Sequence, residues 1–402
     1  MKILYIFTSP SLRGSSVQTK VLNQIKYLNK AGSDCRGAFF STEVKEKTLL
    51  NEFVDLIPVE KCTWKYFRAS GQKRKTMQAV LSFAKQQYKN TNIFYFRYPG
   101  AGSLLIDFIS NYGNKTIFEH LSIEEFELKL HAKENSFGLK PSQLLSWLEY
   151  SALPLWREKL FGKTIRKNAK LGICNSQEIA DFQNKKSGGV YKCMIGGDAV
   201  EVETFTLGSR PEFNHELRMV FLKGASTNAE YNGIDRVFNG LKDYNGSVKF
   251  KLYVLGKNTD FEMNLAKGLE ILNKYVFFPG FKNEGELDGF LNDIHLGISQ
   301  FGIYRKGLKS NSTIKSREYI ARGIPFIFGH HDPDLNEESK EFALEFPNDN
   351  SVIDMEKVIE FARKALEDKG LPQKMRKYAE EHLDYEVKMK KLYVELLKLK
   401  NA

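Results

Sequence analysis

Between Phe301 and Pro325 the chain gathers cations, glycines and small polar residues ahead of a helix, the types that could hold a diphosphate. Arg305, Lys306 and Lys309 lie close to Gly302 and Gly307, and Ser310, Asn311, Ser312, Thr313 and Ile314 follow. Small polar residues ahead of a helix offer an anion free backbone N–H groups and the positive end of the helix dipole. Lys315 adds a cation in the first turn, and Glu318 is placed one turn later to accept hydrogen bonds from ribose hydroxyls. By residue type alone, a capped surface helix with ordinary charges fits the segment equally well.

Other segments carry chemistry less specifically. Ser9–Ser16 follows a strand and opens a helix, so Gly14, Ser15 and Ser16 could present N–H groups to an anion. The loop lacks the spacing of a dinucleotide fingerprint or a P-loop, and a plain turn fits it as well. Ile117-Phe118-Glu119-His120 closes a strand ahead of Glu124, Glu125 and Glu127. A lone histidine at a strand end is usually structural. Asp332-Pro333-Asp334 reads as a loop rather than a metal site, and no metal or other cofactor is expected.

Two stretches mix bases with aromatics. One contains Trp64, Lys65, Arg68, Lys73 and Arg74; the other contains Trp156, Lys163 and Arg166. Basic helices with aromatic anchors suit an anionic membrane surface or an acidic acceptor, and a solvated helix face is the plain alternative. No nucleic-acid-binding module accompanies the charge, so nucleic acid is not an expected partner.

The elements that must position these residues follow from length and pattern. With 402 residues, 42% hydrophobic, the chain predicts two domains and excludes general disorder. No apolar run approaches the roughly 20 residues of a membrane span. The first strand leads into polar turn residues rather than a cleavage site, so a cytoplasmic protein, peripheral on the inner face of the plasma membrane, is expected. Cys35, Cys62, Cys174 and Cys193 include no C-x-x-C and read as reduced thiols. Residues 1–195 carry 30 Lys and Arg against 16 Asp and Glu, whereas residues 196–402 carry 30 against 33. The positive excess lies wholly in the first half and implies an anionic partner there.

In that half, strands at Ile3–Phe7, Arg36–Phe40, Ile93–Arg97, Lys115–Glu119 and Leu171–Cys174 are spaced widely enough for crossover helices. The second half alternates from the strand Arg218–Leu222 to the strand Pro325–Phe328, with helices at Ile234–Leu241, Phe261–Asn273, Glu284–Phe290 and Lys315–Arg322. Asp354–Glu367 and Lys374–Leu399 read as helical. Two doubly wound α/β domains follow, with ligands at the carboxyl ends of the strands.

The sequence resembles retaining glycosyltransferases of the family-4 type. The resemblance runs from the Ile3–Phe7 strand with Gly14, through Asn175-Ser176-Gln177-Glu178, Gly224, Asn232-Gly233-Ile234-Asp235 and Gly256, to Phe278-Pro279-Gly280-Phe281. Its specific part is Ser312-Thr313-Ile314-Lys315-x-Arg317-Glu318-Tyr319-x-Ala321-x-Gly323-Ile324-Pro325, and with Arg305-Lys306-Gly307 it is similar to bacterial surface-polysaccharide members.

The resemblance implies a GT-B fold, two Rossmann-like domains facing across a cleft. Residues 1–195 would form the acceptor side, 196–375 the donor domain, and 376–402 a helix packing back on the first domain. It implies metal-independent transfer of a hexose, with retention, from a nucleoside-diphosphate sugar to a glycan or lipid-linked acceptor. Gly14, Lys223, Gly224, Asn232, Gly256, Arg305, Lys306, Ser310, Ser312, Thr313, Ile314, Lys315 and Glu318 would then serve the donor. His120 and Glu119 would serve the transferred sugar.

The sequence departs from the family pattern in two places. Ser310 stands where the first Glu of the E-x7-E pair is usual, and Ala225 and Asn232 stand where the diphosphate-binding bases are usual. Lys223, Arg305, Lys306 and Lys315 are the candidates to replace that charge. A catalytically weak binding subunit of a glycosylation complex is the alternative reading.

Overall fold

The computed structural model describes residues 1–8, 16–134, 141–224, 230–257 and 259–401. The chain forms two compact units, residues 1–196 together with 389–402, and residues 197–388.

Unit 1 is built on an eight-stranded sheet: β1 (Lys2–Thr8), β2 (Asp34–Ser41), β3 (Thr48–Asn51), β4 (Val54–Pro58), β5 (Ile93–Arg97), β6 (Thr116–His120), β7 (Leu171–Cys174) and β8 (Cys193–Ile195). The spatial order is β3-β4-β2-β1-β5-β6-β7-β8, and every pairing but β3 with β4 is parallel. Its helices are α1 (Ser16–Lys30), α2 (Arg68–Gln87), α3 (Ser103–Tyr112), α4 (Glu124–Glu134), α5 (Pro141–Trp147), α6 (Leu153–Asn168) and α7 (Gln177–Ser187). The central strands are apolar on both faces because helices cover both. Leu4, Ile6, Phe94, Phe96 and Phe118 pack with residues of α2, α3 and α6. From the alternate positions of β1 and β5, Tyr5 and Tyr95 stack at 4.2 Å.

Unit 2 has six strands, all paired parallel: β9 (Glu216–Leu222), β10 (Lys249–Leu255), β11 (Val276–Gly280), β12 (Leu296–Ile298), β13 (Phe326–Phe328) and β14 (Ala343–Glu345). Their order is β11-β10-β9-β12-β13-β14. The helices are α8 (Ile234–Asp243), α9 (Asp260–Gly268), α10 (Glu284–Leu291), α11 (Ile314–Ala321), α12 (Met355–Glu367), α13 (Leu371–Tyr378) and the start of α14 (Tyr385–Asn401). Apolar cores lie on both faces of the sheet. The strand order reverses between β9 and β12. The loops after those two strands therefore part in opposite directions and leave a crevice.

The structure corrects two predicted helices. α9 stops at Gly268 rather than Asn273, because Glu270 and Asn273 both adopt φ 59°. The terminal helix is broken at Asp384, whose backbone is extended. Its carboxylate accepts the N–H groups of Val202 at 3.0 Å and Glu386 at 2.7 Å, capping α14. The strands β3, β8 and β14 span only three or four residues, too few for a period to show, and Asp55 interrupts the apolar run of β4. Among the described residues no helix is long and apolar enough to cross a membrane.

One glycine decides how α8 meets the sheet. Gly233 has φ 65°, and a Cβ there would lie 2.3 Å from the carbonyl carbon of Phe301. Gly233→Ala should therefore lower stability by about 2–4 kcal/mol, combining left-handed strain with overpacking. Urea unfolding would check this, and an unchanged midpoint would refute the close approach.

Candidate functional site

The crevice of unit 2 collects most of the residues expected on the donor side. Lys223 follows β9, Gly256 follows β10, and Ser299, just past β12, joins Thr313 and Ser316 of the α11 entry in a hydroxyl network of 2.7–3.1 Å. Thr313 is therefore no side-chain cap for α11, and its hydroxyl ties the helix start to the strand end. Ser312 accepts the Asp198 N–H at 2.6 Å and donates to Asp334 at 3.3 Å. Ile314 opens the helix. Gly256 has φ 146°, and a Cβ there would lie 2.5 Å from the Lys223 carbonyl oxygen.

The four candidate cations differ in what surrounds them. Lys223 is buried and its Nζ lies 2.7 Å from Oε2 of the equally buried Glu262. Arg305 grips Asp235 with both terminal nitrogens, at 2.9 and 2.6 Å, and also donates to the Tyr304 hydroxyl. Lys306 stands over the Tyr231 ring at 4.7 Å. Lys315 donates to a neutral oxygen, Asn232 Oδ1 at 3.2 Å, and its Nζ rests 4.1 Å from the centre of the Phe221 ring. Asn232 is thus brought to a cation by tertiary contact, at a position where the family resemblance puts a cation in the sequence. Burial lowers Lys315 to about 7, with Glu318 and Glu262 opposing the shift and Lys223 adding to it. Glu318 is half-buried, and burial raises it to about 7 against the pull of Arg322 and Lys315.

Ser310 is buried and pairs by a parallel bridge with His331, so the site keeps a small residue there. Gly224 is exposed at the end of the described segment after β9. Gly14 and Ala225 lie outside the described residues. The Asp-x-Asp segment serves the fold, since Asp332 and Asp334 both engage the buried Arg317, and Lys388 also binds Asp334. Among the described residues no group of three His, Cys, Asp or Glu could hold a metal ion.

In unit 1 the Glu119 and His120 side chains, expected to serve the transferred sugar, are both buried. Glu119 is buried, 3.1 Å from Lys20 Nζ, and accepts from Gln24 at 3.0 Å. Burial opposes its ionisation, but Lys20, Gln24 and Arg97 outweigh it and hold the carboxyl below its ordinary value. His120 is 1% exposed; its Nδ1 lies 2.6 Å from Glu124 Oε1 and its Nε2 3.4 Å from the Tyr191 hydroxyl. Even its carbonyl accepts the Asn175 N–H. Both side chains are engaged inside the unit.

Arg166 was expected on a membrane or acceptor face and is instead fully buried. It donates to Glu124 at 3.0 Å and to Glu158 at 2.7 Å, and these carboxylates offset the cost of taking its charge out of water. Burial opposes the ionisation of Glu124, yet His120 and Arg166 hold it down to about 2. Lys65, Arg68 and Lys163 are exposed. Trp64, Lys73, Arg74 and Trp156, from both basic stretches, meet at one cavity. Asp235 and Glu262, which decide the fate of two candidate cations, were missed. Asp235 adjoins the Gly233-Ile234 signal, whereas nothing local marks Glu262.

By sequence, neither protein-family models nor curated proteins give a match. By structure, the chain is similar to a sucrose-phosphate synthase from Thermosynechococcus elongatus, with TM-score 0.68 and 12% identity over 99% of each chain. It is also similar to the lipopolysaccharide outer core galactosyltransferase WaaB, with TM-score 0.62 and 12% identity over 100% of each. A third likeness is to HepE of Anabaena in complex with UDP, with TM-score 0.61 and 12% identity over 99% of this chain and 100% of that one. The fold is GT-B. At such identity the likeness concerns architecture, and the chemistry rests on the local geometry.

The two shifted groups give the apo site a characteristic pH signature. Glu318, raised from 4.5 to about 7, contributes stability that is present below pH 4.5 and lost as pH rises through 7. Lys315, lowered from 10.5 to about 7, contributes stability that is present above pH 10.5 and lost as pH falls through 7. Their joint contribution should therefore pass through a minimum near pH 7. In urea unfolding across this range, Glu318→Gln should flatten the limb below pH 7 and Lys315→Met the limb above it. Identical pH profiles for wild type and both variants would sink the assignment.

Proposed function

We propose that the chain is a glycosyltransferase. In this reading it moves a hexose from a nucleoside-diphosphate sugar to a glycan or lipid-linked acceptor, with retention, in the synthesis of surface polysaccharide on the cytoplasmic side of the membrane. The observation that carries the reading is Lys315. It is a desolvated cation on the first turn of α11, held by a neutral oxygen, with the half-buried Glu318 one turn on. A diphosphate would supply the anion Lys315 lacks, and its arrival would restore the proton that burial loosens. Glu318, once ionised beside that lysine, accepts from the ribose hydroxyls. The UDP and UDP-glucose bound in HepE structures support a nucleotide sugar as the ligand class.

Departure of a nucleoside diphosphate from a sugar needs positive charge where the leaving oxygen develops its negative charge. In this chain Lys315 and the N-terminal turn of α11 would supply it, without a metal. A retaining transfer on the front face needs no strong base, so the buried positions of Glu119 and His120 leave it open.

A binding-subunit reading is favoured by Ser310, which offers a transferred sugar a small hydroxyl residue in place of a carboxylate. Turnover separates the two: transfer by the purified chain alone to a defined acceptor would remove the subunit reading. For the donor site, Lys315→Met and Glu318→Ala should each weaken binding of the preferred nucleoside diphosphate by at least about tenfold, roughly 1.4 kcal/mol. Calorimetry with a panel of nucleoside diphosphates checks this, and unchanged affinity in both variants would remove the donor site.

A further inference from the structure

In unit 1 a cavity of about 400 Å³ opens where α2, α3 and α6 begin. Trp64, Lys73 and Arg74 reach it from one basic stretch and Trp156, Arg157 and Phe161 from the other. Three cations share this wall, and among the described lining residues there is no carboxylate. Like charges gathered on one wall repel one another, and an anionic ligand there lowers that cost. The indoles of Trp64 and Trp156 are 48% and 57% exposed, so part of each ring is available to a flat apolar partner. Gly100, at φ 78°, makes room for the charge: a Cβ there would lie 3.1 Å from Lys73 Nζ.

A second cavity of about 470 Å³ shares Ser70, Lys73, Gly100, Ala101 and Arg157 with the first. Its chemistry is different. Glu124, Glu127, Glu149, Glu158, Tyr98 and Tyr150 line it, so the shared Lys73 and Arg157 stand between a basic compartment and an acidic one, and carboxylates and phenols are the partners that sugar hydroxyls take. The backing is rigid: Tyr98 donates to Glu158 at 3.0 Å, and the buried Arg166 fixes Glu158 in turn. One compartment thus suits a negative charge beside a ring face, and its neighbour suits hydroxyl groups.

We propose that these adjoining cavities bind a saccharide carrying a phosphate or carboxylate group. The charged group sits among Lys73, Arg74 and Arg157, a sugar ring lies against the Trp156 indole, and neighbouring hydroxyls reach Glu127 and Glu149. A bilayer is the poorer occupant, because these side chains line concave pockets of ligand size rather than project from a convex face. Under the glycosyltransferase reading this saccharide is the acceptor, yet its binding is measurable without a donor, so either claim can fail while the other stands.

Tryptophan fluorescence and calorimetry on the full chain test it, with glucose 6-phosphate and glucuronate as probes. Both should bind at least about tenfold more tightly than glucose or inorganic phosphate. Arg74→Gln and Trp156→Ala should each weaken them by about tenfold, as loss of a central anchor does. Lys163→Gln, which removes an exposed charge outside the cavity, should leave them unchanged. Failure of both probes to bind at about 10 mM would overturn the proposal, as would equal affinity for glucose. So would vesicles of phosphatidylcholine and phosphatidylglycerol that shield Trp156 when neither probe does.

Discussion

A cation withdrawn from water must meet an anion or lose its hold on its proton, and that constraint organises both units of this protein. Arg166 is buried under α6 between Glu124 and Glu158, Lys20 against Glu119, Lys223 against Glu262, and Arg317 between Asp332 and Asp334. Each pair takes up residues that could otherwise be read as catalytic or metal-binding. Lys315 breaks the pattern: its hydrogen-bond acceptor is an amide oxygen, its underside is an aromatic ring, and its proton is loosened accordingly. At the strand reversal of unit 2, Lys315 is thus a desolvated cation hydrogen-bonded to a neutral oxygen, with Glu318 one turn on.

The same pairing changes the meaning of the positive excess in the first half of the chain. Part of it is internal, since Arg166, Lys20 and Lys186 are all paired within unit 1. What remains is not evenly spread. Lys73, Arg74 and Arg157 converge on a cavity wall without a carboxylate, while Lys65, Arg68 and Lys163 face solvent. A net charge thus resolves into structural pairs, one concentrated pocket and a solvated remainder. These three contribute very differently to recognition, because only the pocket holds its charges fixed relative to one another.

Much of the architecture was legible because it rests on local signals. Doubly buried parallel strands are continuous apolar runs, so β1, β5, β7, β9 and β10 announced themselves. Gly233 and Gly256 stood out where only a glycine fits the backbone. The Ser312–Glu318 segment was recognised at its true place, the entry of α11 beside β12. Less visible were elements whose stability comes from elsewhere: β8 and β14 are three residues long and held by their neighbours, and the break at Asp384 exists because that carboxylate caps one helix and binds Val202 far away in sequence.

The alternation of strands and helices, the division into two α/β units and the segment that opens α11 could be read from the chain, because periodicity, glycine and capping chemistry act over a few residues. Which charges remain available was decided by tertiary structure alone. Glu262 neutralises Lys223 from 39 residues away, Asp235 holds Arg305 from 70, and Arg166 reaches Glu124 across 42. Two basic stretches roughly 90 residues apart become one pocket only when α2 and α6 both pack against α3. Electrostatic partnership depends on distance in space and on burial, and neither is written in the spacing of residues along a chain.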